Sequence, residues 1–227
     1  MDYTTIQPTV SVIICTLNEE QNLIHVLPKI PDWVNEAILV DGHSTDKTVE
    51  VAREMCPSMM ILYQPGKGKG DALKFGVKNA SGEIIVTLDA DGATPPEDMP
   101  KFIAPLLKGY DYAKGTRFVE GSPKMPPHRK FGNWVLATAC NILFGTKYTD
   151  ICSGYNAFWR EAFLKINLPL DGFEMDQQLN VRIKKAGLRV IEVPYRDGRR
   201  LNGVSKTRDV RQGFKDLLII IRERFVK

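Results

Sequence analysis

The chain has 227 residues, 43% of them hydrophobic and 26% charged, with a formal net charge of +4, a composition that fits one globular α/β domain with a sizeable core and excludes a disordered or low-complexity polymer. No stretch approaches the ~18–20 apolar residues that a membrane span needs, the longest aliphatic run being Leu217–Ile221. Charge is uneven: from Val181 onwards 14 Lys and Arg stand against 5 Asp and Glu, an excess that points to an anionic partner such as phosphate, nucleic acid or a membrane surface.

The first half alternates strand and helix. Val10–Cys15 reads as a buried strand, followed by a helix from Glu20 to Lys29 that Pro31 ends. Ala37–Val40 is a strand ending at Asp41, and Asp46–Met55 a helix with Ser44 and Asp46 as cap candidates. Met60–Leu62 is a strand. The turn Gly66-Lys67-Gly68-Lys69-Gly70 leads into a helix over Asp71–Asn79. Ile84–Leu88 is short, β-branched and bounded by glycines, as a buried strand should be. Repeated βα units imply a parallel sheet with right-handed crossovers, the pattern of a Rossmann-like nucleotide-binding half.

The second half is less regular. Helices are expected over Pro96–Lys108, His128–Phe144 and Phe173–Ala186, the last stopped by Gly187. Strands are expected at Tyr112–Thr116 and Arg189–Val193. Arg117–Pro127 reads as a mobile loop, Tyr195–Arg208 as a basic loop, and Asp209–Phe225 as the last helix. That helix carries an apolar stripe, which suits either packing on the core or a membrane interface.

Chemistry concentrates where the strands end. Asp89-Ala90-Asp91 directly follows Ile84–Leu88, and paired carboxylates there suit a hard divalent cation, Mg2+ or Mn2+, that in turn holds phosphate oxygens. Asp-x-Asp alone is a common sequence, and its position after a buried strand gives it meaning. Glu19 and Asp41 close two earlier strands and could hydrogen-bond a base or ribose. The Gly66–Gly70 turn is neither a P-loop nor a complete Gly-x-Gly-x-x-Gly, but its glycines admit close backbone approach and Lys67 could reach a phosphate. Arg117 and the cluster Arg196, Arg199, Arg200, Lys206 and Arg208 suit phosphate contact. Glu174 and Asp176 suit helix-dipole partners or a catalytic acid pair. Cys15, Cys56, Cys140 and Cys152 form no Cys-x-x-Cys pair, which fits reduced intracellular thiols. The three histidines show no zinc spacing. The polar Met1–Thr5 start shows no secretory signal.

The runs Val12–Glu20, Val40–Thr48, the Gly-Lys-Gly-Lys-Gly turn, Leu88–Gly92, Lys114–Phe118, Asp150–Tyr155 and Arg200–Lys206 together resemble family 2 glycosyltransferases with a GT-A fold, above all the polyprenyl-phosphate hexose (dolichyl-phosphate mannose or glucose) synthases. The resemblance covers Val10 to Arg208. It implies a single GT-A catalytic domain, α/β with a mostly parallel central sheet flanked by helices. Residues 1–92 would form its nucleotide-binding half, 93–208 its acceptor half and 209–227 an amphipathic basic helix. It implies inverting, metal-dependent transfer of a hexose from UDP- or GDP-sugar to polyprenyl phosphate, at the cytoplasmic face of a membrane, with no nucleic acid partner. By position, Cys15, Thr16, Leu17, Glu19, Asp41, Lys67, Gly68 and Ala90 would line the nucleotide-sugar pocket. Asp89 and Asp91 would hold Mg2+ or Mn2+ and the diphosphate, and Arg117, Ser153, Arg200 and Lys206 would face the acceptor or donor phosphates. Cys15 stands where the family usually has proline, Leu17 where an aromatic is common, and Ala93 where some members place a third metal ligand. The Gln-x-x-Arg-Trp motif of processive synthases is absent, which implies single sugar transfer. The residues leave two other readings open: transfer to a sugar hydroxyl, with Glu174 or Asp176 taking the proton, and a non-catalytic nucleotide-sugar-binding subunit. A nucleotidyltransferase would need a Gly-rich, Arg-containing signature after the first strand that this chain lacks.

Overall fold

A computed structural model of the chain describes residues 8–119, 125–196, 198, 200–203 and 209–226. Its strands are β1 (Val10–Thr16), β2 (Glu36–Asp41), β3 (Met60–Tyr63), β4 (Ile84–Asp89), β5 (Tyr112–Thr116), β6 (Asn156–Trp159) and β7 (Val190–Pro194). They form one seven-stranded sheet in the order β3-β2-β1-β4-β6-β5-β7. β6 runs antiparallel to both β4 and β5, and the other pairings are parallel. The helices are α1 (Glu20–Val26), α2 (Thr48–Met55), α3 (Lys69–Asn79), α4 (Met99–Leu107), α5 (Pro127–Phe144), α6 (Arg160–Leu164), α7 (Met175–Lys185) and α8 (Asp209–Glu223).

Three local differences from the sequence reading have physical causes. β6 and α6 carry no periodic signal, because β6 is four residues long and is fixed by its neighbours, Thr87 on one side and Lys114 on the other. Helix α3 starts at Lys69 rather than Asp71. The N–H groups of Gly70 and Asp71, which have no partner within the helix, donate to the Asp171 carbonyl at 2.7 and 3.1 Å. Neither expected cap occupies the cap position of α2, which is Lys47: Asp46, one residue earlier, accepts the Thr48 N–H at 3.0 Å, and Ser44 donates to Asp41 Oδ1 at 2.5 Å. The expected loop over Arg117–Pro127 and the basic loop over Tyr195–Arg208 fall partly outside the described residues.

The sheet is covered on both faces. On one, Val12, Ile14, Leu39, Val86 and Leu88 pack with Leu23 and Val26 of α1, Ala52 of α2 and Phe102 of α4. On the other, Ile13, Ile38, Ile85, Tyr112 and Phe158 pack with Leu73 and Val77 of α3 and Met175 and Leu179 of α7. Each such side chain contributes roughly 1.5–3 kcal/mol of burial. A third cluster, with Leu136 and Cys140 of α5, Val181 of α7 and Ile220 of α8, anchors the last helix.

Because side chains alternate along a strand, the second face can be followed to its end. Cys15 lies opposite Asp89, Thr87 opposite Asn156, and Asn156 opposite Lys114. The face that begins with Ile13, Ile85 and Tyr112 thus ends in a thiol, two hydroxyl- or carboxylate-bearing residues, a carboxamide and an amine. The first turns of α3 and α7 bring Lys69, Asp176 and Gln177 to this polar end.

Candidate active site

Asp89 and Asp91 sit where β4 leaves the sheet. Lys69 Nζ approaches Asp89 Oδ1 at 3.1 Å and Asp176 Oδ2 at 3.7 Å, so one ammonium bridges the strand acid and the first turn of α7. Burial disfavours the Lys69 charge, but the carboxylates of Asp89 and Asp176 outweigh it and raise its pKa above the ordinary lysine value. Gly154 permits this approach: a Cβ there would lie 2.7 Å from both Asp89 Oδ2 and Lys69 Nζ. Burial, and next the charge of Asp89, raise the pKa of Asp91. The Ala93 N–H, bonded to Oδ1 at 3.0 Å, and Arg200 pull it back.

Arg200 clasps the other side of the acid pair. Its Nη2 donates to Glu19 Oε2 at 2.6 Å, and its Nη1 lies 3.5 Å from Asp91 Oδ2. Backbone bonds hold the same segment down. Gly198 N–H donates to the Ala93 carbonyl at 2.7 Å and Leu201 N–H to the Asp91 carbonyl at 3.0 Å. Gly92 has φ +80, and a Cβ on it would meet Leu201 Cδ1 at 2.6 Å, so both its backbone and its bareness are used. Asn202 N–H bonds Asn22 Oδ1 at 2.9 Å, tying the strap to α1. Gly198 and Arg200–Asn202 of the basic loop are therefore held against the residues that follow β1 and β4.

The remaining predicted residues divide. Buried Thr16 and Asp41 share a hydrogen bond at 3.4 Å, and Asp41 also accepts the Ser44 N–H at 2.8 Å. Leu17 is exposed beside Gly42 at the β1–β2 edge, where a flat base could rest. Cys15 is half-buried, and burial pushes its thiol up to about 12, so it is no thiolate nucleophile. Ala90 is buried. Lys67 and Gly68 lie on the exposed turn; Lys69, two residues on, enters the site instead. Arg117 forms a bidentate pair with fully buried Asp150, Nε to Oδ2 at 2.6 Å and Nη2 to Oδ1 at 2.9 Å. Ser153 is buried 3.1 Å from the Tyr195 hydroxyl. Lys206, Arg199 and Arg208 lie outside the described residues, and Arg196 is exposed.

Sequence reasoning missed Lys69, Lys114, Asp150, Asn156 and Gln177. Lys114 is buried on β5; burial lowers its pKa, against the opposing pull of Asp150, Asp176 and Glu192. Opposite charges thus meet in pairs around the end of β4, Lys69 between Asp89 and Asp176 and Arg117 on Asp150, with Lys114 in the field of Asp150 and Asp176. No third acid, histidine or cysteine joins Asp89 and Asp91 in a metal-binding group among the described residues. Two hard carboxylates, with the remaining positions left to phosphate oxygens and water, fit the way Mg2+ is commonly held.

The family model described as Glycosyl transferase family 2 matches residues 11–166. The chain is similar to the dolichyl-phosphate hexose transferase of Haloferax volcanii, 32% identical over 82% of each chain. It is 34% identical to the dolichol-phosphate mannosyltransferase of Pyrococcus furiosus, over 87% of this chain and 58% of that one. Glycosyltransferase AglJ of H. volcanii is 32% identical over 82% of this chain, which spans 61% of AglJ. The glucosyl-3-phosphoglycerate synthase of Mycobacterium tuberculosis, solved with Mn2+, UDP and glucosyl-3-phosphoglycerate, shares the fold. It aligns with TM-score 0.77 and 22% identity over 96% of this chain and 80% of that one.

Proposed function

The chain belongs to glycosyl transferase family 2 and has a GT-A fold, and from that membership we propose that it moves a hexose from a nucleoside-diphosphate sugar to a polyprenyl phosphate, with inversion at the anomeric carbon. The observation that carries this reading is the meeting of an acid pair and an arginine strap at one sheet edge: Arg200 touches both Glu19 and Asp91. The names of the relatives from H. volcanii and P. furiosus support the lipid phosphate as acceptor.

Asp89 and Asp91 would hold Mg2+ or Mn2+, which supplies Lewis-acid neutralisation of the departing diphosphate. Lys69 fixes Asp89 from the side facing α7, so that the carboxylate keeps one orientation. Leu17, Thr16 and Asp41 form the nucleotide edge, and Arg200, on its strap, balances phosphate charge. One acceptor phosphate oxygen attacks the anomeric carbon as the bond to the nucleoside diphosphate breaks. That oxygen needs no strong base, because the second pKa of a phosphomonoester is about 6. The alternative acceptor, a sugar hydroxyl, does need one, and Asp176, beside Lys69, would take that proton.

Membrane attachment is part of the proposal. Helix α5 exposes Phe131, Trp134 and Ile142, helix α8 exposes Phe214 and Leu218, and Phe225 follows in the turn after α8, with Ile142 at 77% and Phe225 at 82%. Arg211, Lys215, Arg222 and Arg224 flank the α8 stripe in sequence, the composition of a helix resting in an anionic lipid surface. No helix among the described residues is long and apolar enough to cross a membrane. Purified protein given radiolabelled UDP- and GDP-hexoses with polyprenyl phosphate or with free sugars separates the acceptors. Label entering the organic phase supports the lipid reading, and label entering only oligosaccharide moves the assignment to the hydroxyl acceptor.

A further inference from the structure

Two buried carboxamides inward of the acid pair have hydrogen-bonding capacity that the fold does not use. Asn156 Oδ1 and Gln177 Oε1 are buried and accept no hydrogen bond among the described residues. Their other ends are weakly held: Asn156 Nδ2 donates to the Ser153 carbonyl at 3.5 Å, and Gln177 Nε2 to Cys152 Sγ at 3.6 Å. Residues 6% and 2% exposed cannot turn these oxygens into bulk water, and a buried acceptor without a donor is costly enough to be rare.

Their position gives the unused acceptors a purpose. Asn156 faces Thr87 on one side and Lys114 on the other. Thr87 is on the same face of β4 as Asp89, two residues nearer the core. Asn156 also follows, by two residues, Gly154, whose backbone lies against Asp89 and Lys69. Gln177 adjoins Asp176, whose carboxylate is 3.7 Å from Lys69. Both carboxamides therefore lie near the acid pair on the side of α7. In the proposed reaction the sugar hangs from the diphosphate held at Asp89 and Asp91, and its hydroxyls need acceptors as well as donors.

We propose that Asn156 and Gln177, with the Lys114 amine, form a pocket that reads the hydroxyl groups of the donor hexose and so determines which sugar is taken. The inference rests on the donor reading of the preceding subsection. Asn156 and Gln177 accept from two sugar hydroxyls, and Lys114 lies alongside Asn156. A site built from buried acceptors discriminates strongly against a sugar whose hydroxyl points elsewhere, because the acceptor is then left unpaired.

The test is calorimetric, on the full chain with Mn2+, comparing UDP with UDP-glucose and GDP with GDP-mannose. The ratio of the dissociation constant of the nucleotide to that of its sugar conjugate isolates the sugar's contribution, and nucleotide binding itself reports folding. Gln177→Met is expected to lower that ratio by about 10-fold or more while leaving nucleotide affinity within about 2-fold, and to flatten the preference between sugars. Asn156→Ser provides the same comparison, so unfolding of one variant leaves the other to decide. Wild-type binding of a nucleotide sugar with the ratio unchanged in the variants overturns the pocket and leaves the donor reading standing. Failure of the wild type to bind any nucleotide sugar overturns the donor reading itself.

Discussion

At Asp91 opposing pulls meet. Burial and the charge of Asp89 disfavour its ionised form, while the Ala93 N–H and Arg200 favour it, so the residue is set up to gain from an added cation. Asp91→Ala is therefore expected to reduce sugar transfer by about 10²–10³-fold, the order lost with one electrostatic contact to a developing charge, measured as label transferred at saturating donor. Arg200→Lys should not restore what Arg200→Ala loses. The guanidinium spans Glu19 and Asp91 with different nitrogens, and a single ammonium cannot reproduce that fork. Transfer by the lysine variant at wild-type rate would contradict this role. The acid pair was legible in the sequence because a buried strand ends on it. Lys69 was not. Gly66-Lys67-Gly68-Lys69-Gly70 offers two lysines, and only the start of α3, fixed by the distant Asp171 carbonyl, shows which turns inward. Asn156 and Gln177 give no sequence signal, since nothing but register and burial distinguishes them from surface amides.

Helix α8 is pinned to α7 at its far end by a buried ion pair. Glu223 receives Arg182 at 2.9 Å and Gln178 at 2.7 Å. Burial opposes its charge, but the bonds from Arg182 and Gln178 prevail and hold its pKa below the usual glutamate value. Its stabilising effect is accordingly complete above about pH 4.5 and fades as pH falls through the lowered value. Glu223→Ala should cost about 2–3 kcal/mol at pH 7, the lower end for a pair whose lysine neighbour reaches solvent. The loss, seen in urea melts, should shrink below pH 4. Asp216 on the same helix behaves oppositely. Burial, and then the charges of Asp176 and Glu174, raise its pKa to about 6, against the Gln212 bond and Lys215. Its folded form holds the proton more tightly, so stability is greatest below about pH 3.8 and declines up to pH 6. Asp216→Asn should raise the melting temperature at pH 8 by several degrees and have little effect near pH 4; an equal effect at both would contradict the cause given. At this scale most elements were readable from period and punctuation. β6 was not, because four residues antiparallel between β4 and β5 show no repeat and owe their conformation to both neighbours.

Besides the candidate site at the strand ends, the molecule carries exposed aromatic and aliphatic side chains on two helices that pack together, α5 and α8. Trp134 and Phe131 stack at 5.8 Å on exposed α5, and Phe214 and Leu218 are exposed on α8. Replacing Phe214 and Leu218 by Ser should weaken binding to vesicles containing anionic lipid by about 10-fold or more, given roughly 1.5–3 kcal/mol for each large apolar side chain. Nucleotide binding in solution should be unchanged, and equal vesicle binding by both proteins would refute the membrane face. The βα alternation made the parallel half of the sheet, β3-β2-β1-β4, legible as a whole. The attachment of the strap was not, since Gly198, Leu201 and Asn202 reach Ala93, Asp91 and Asn22 only in the folded chain. The most direct test of the central claim is titration calorimetry of UDP and GDP, with and without Mn2+, on wild type and Asp91→Ala. The structure predicts that one nucleoside diphosphate binds wild type with the cation and binds far more weakly without it, and that the variant loses the cation's contribution. For that nucleotide, equal affinity in all four combinations of cation and protein would show that the acids at the end of β4 do not hold the donor.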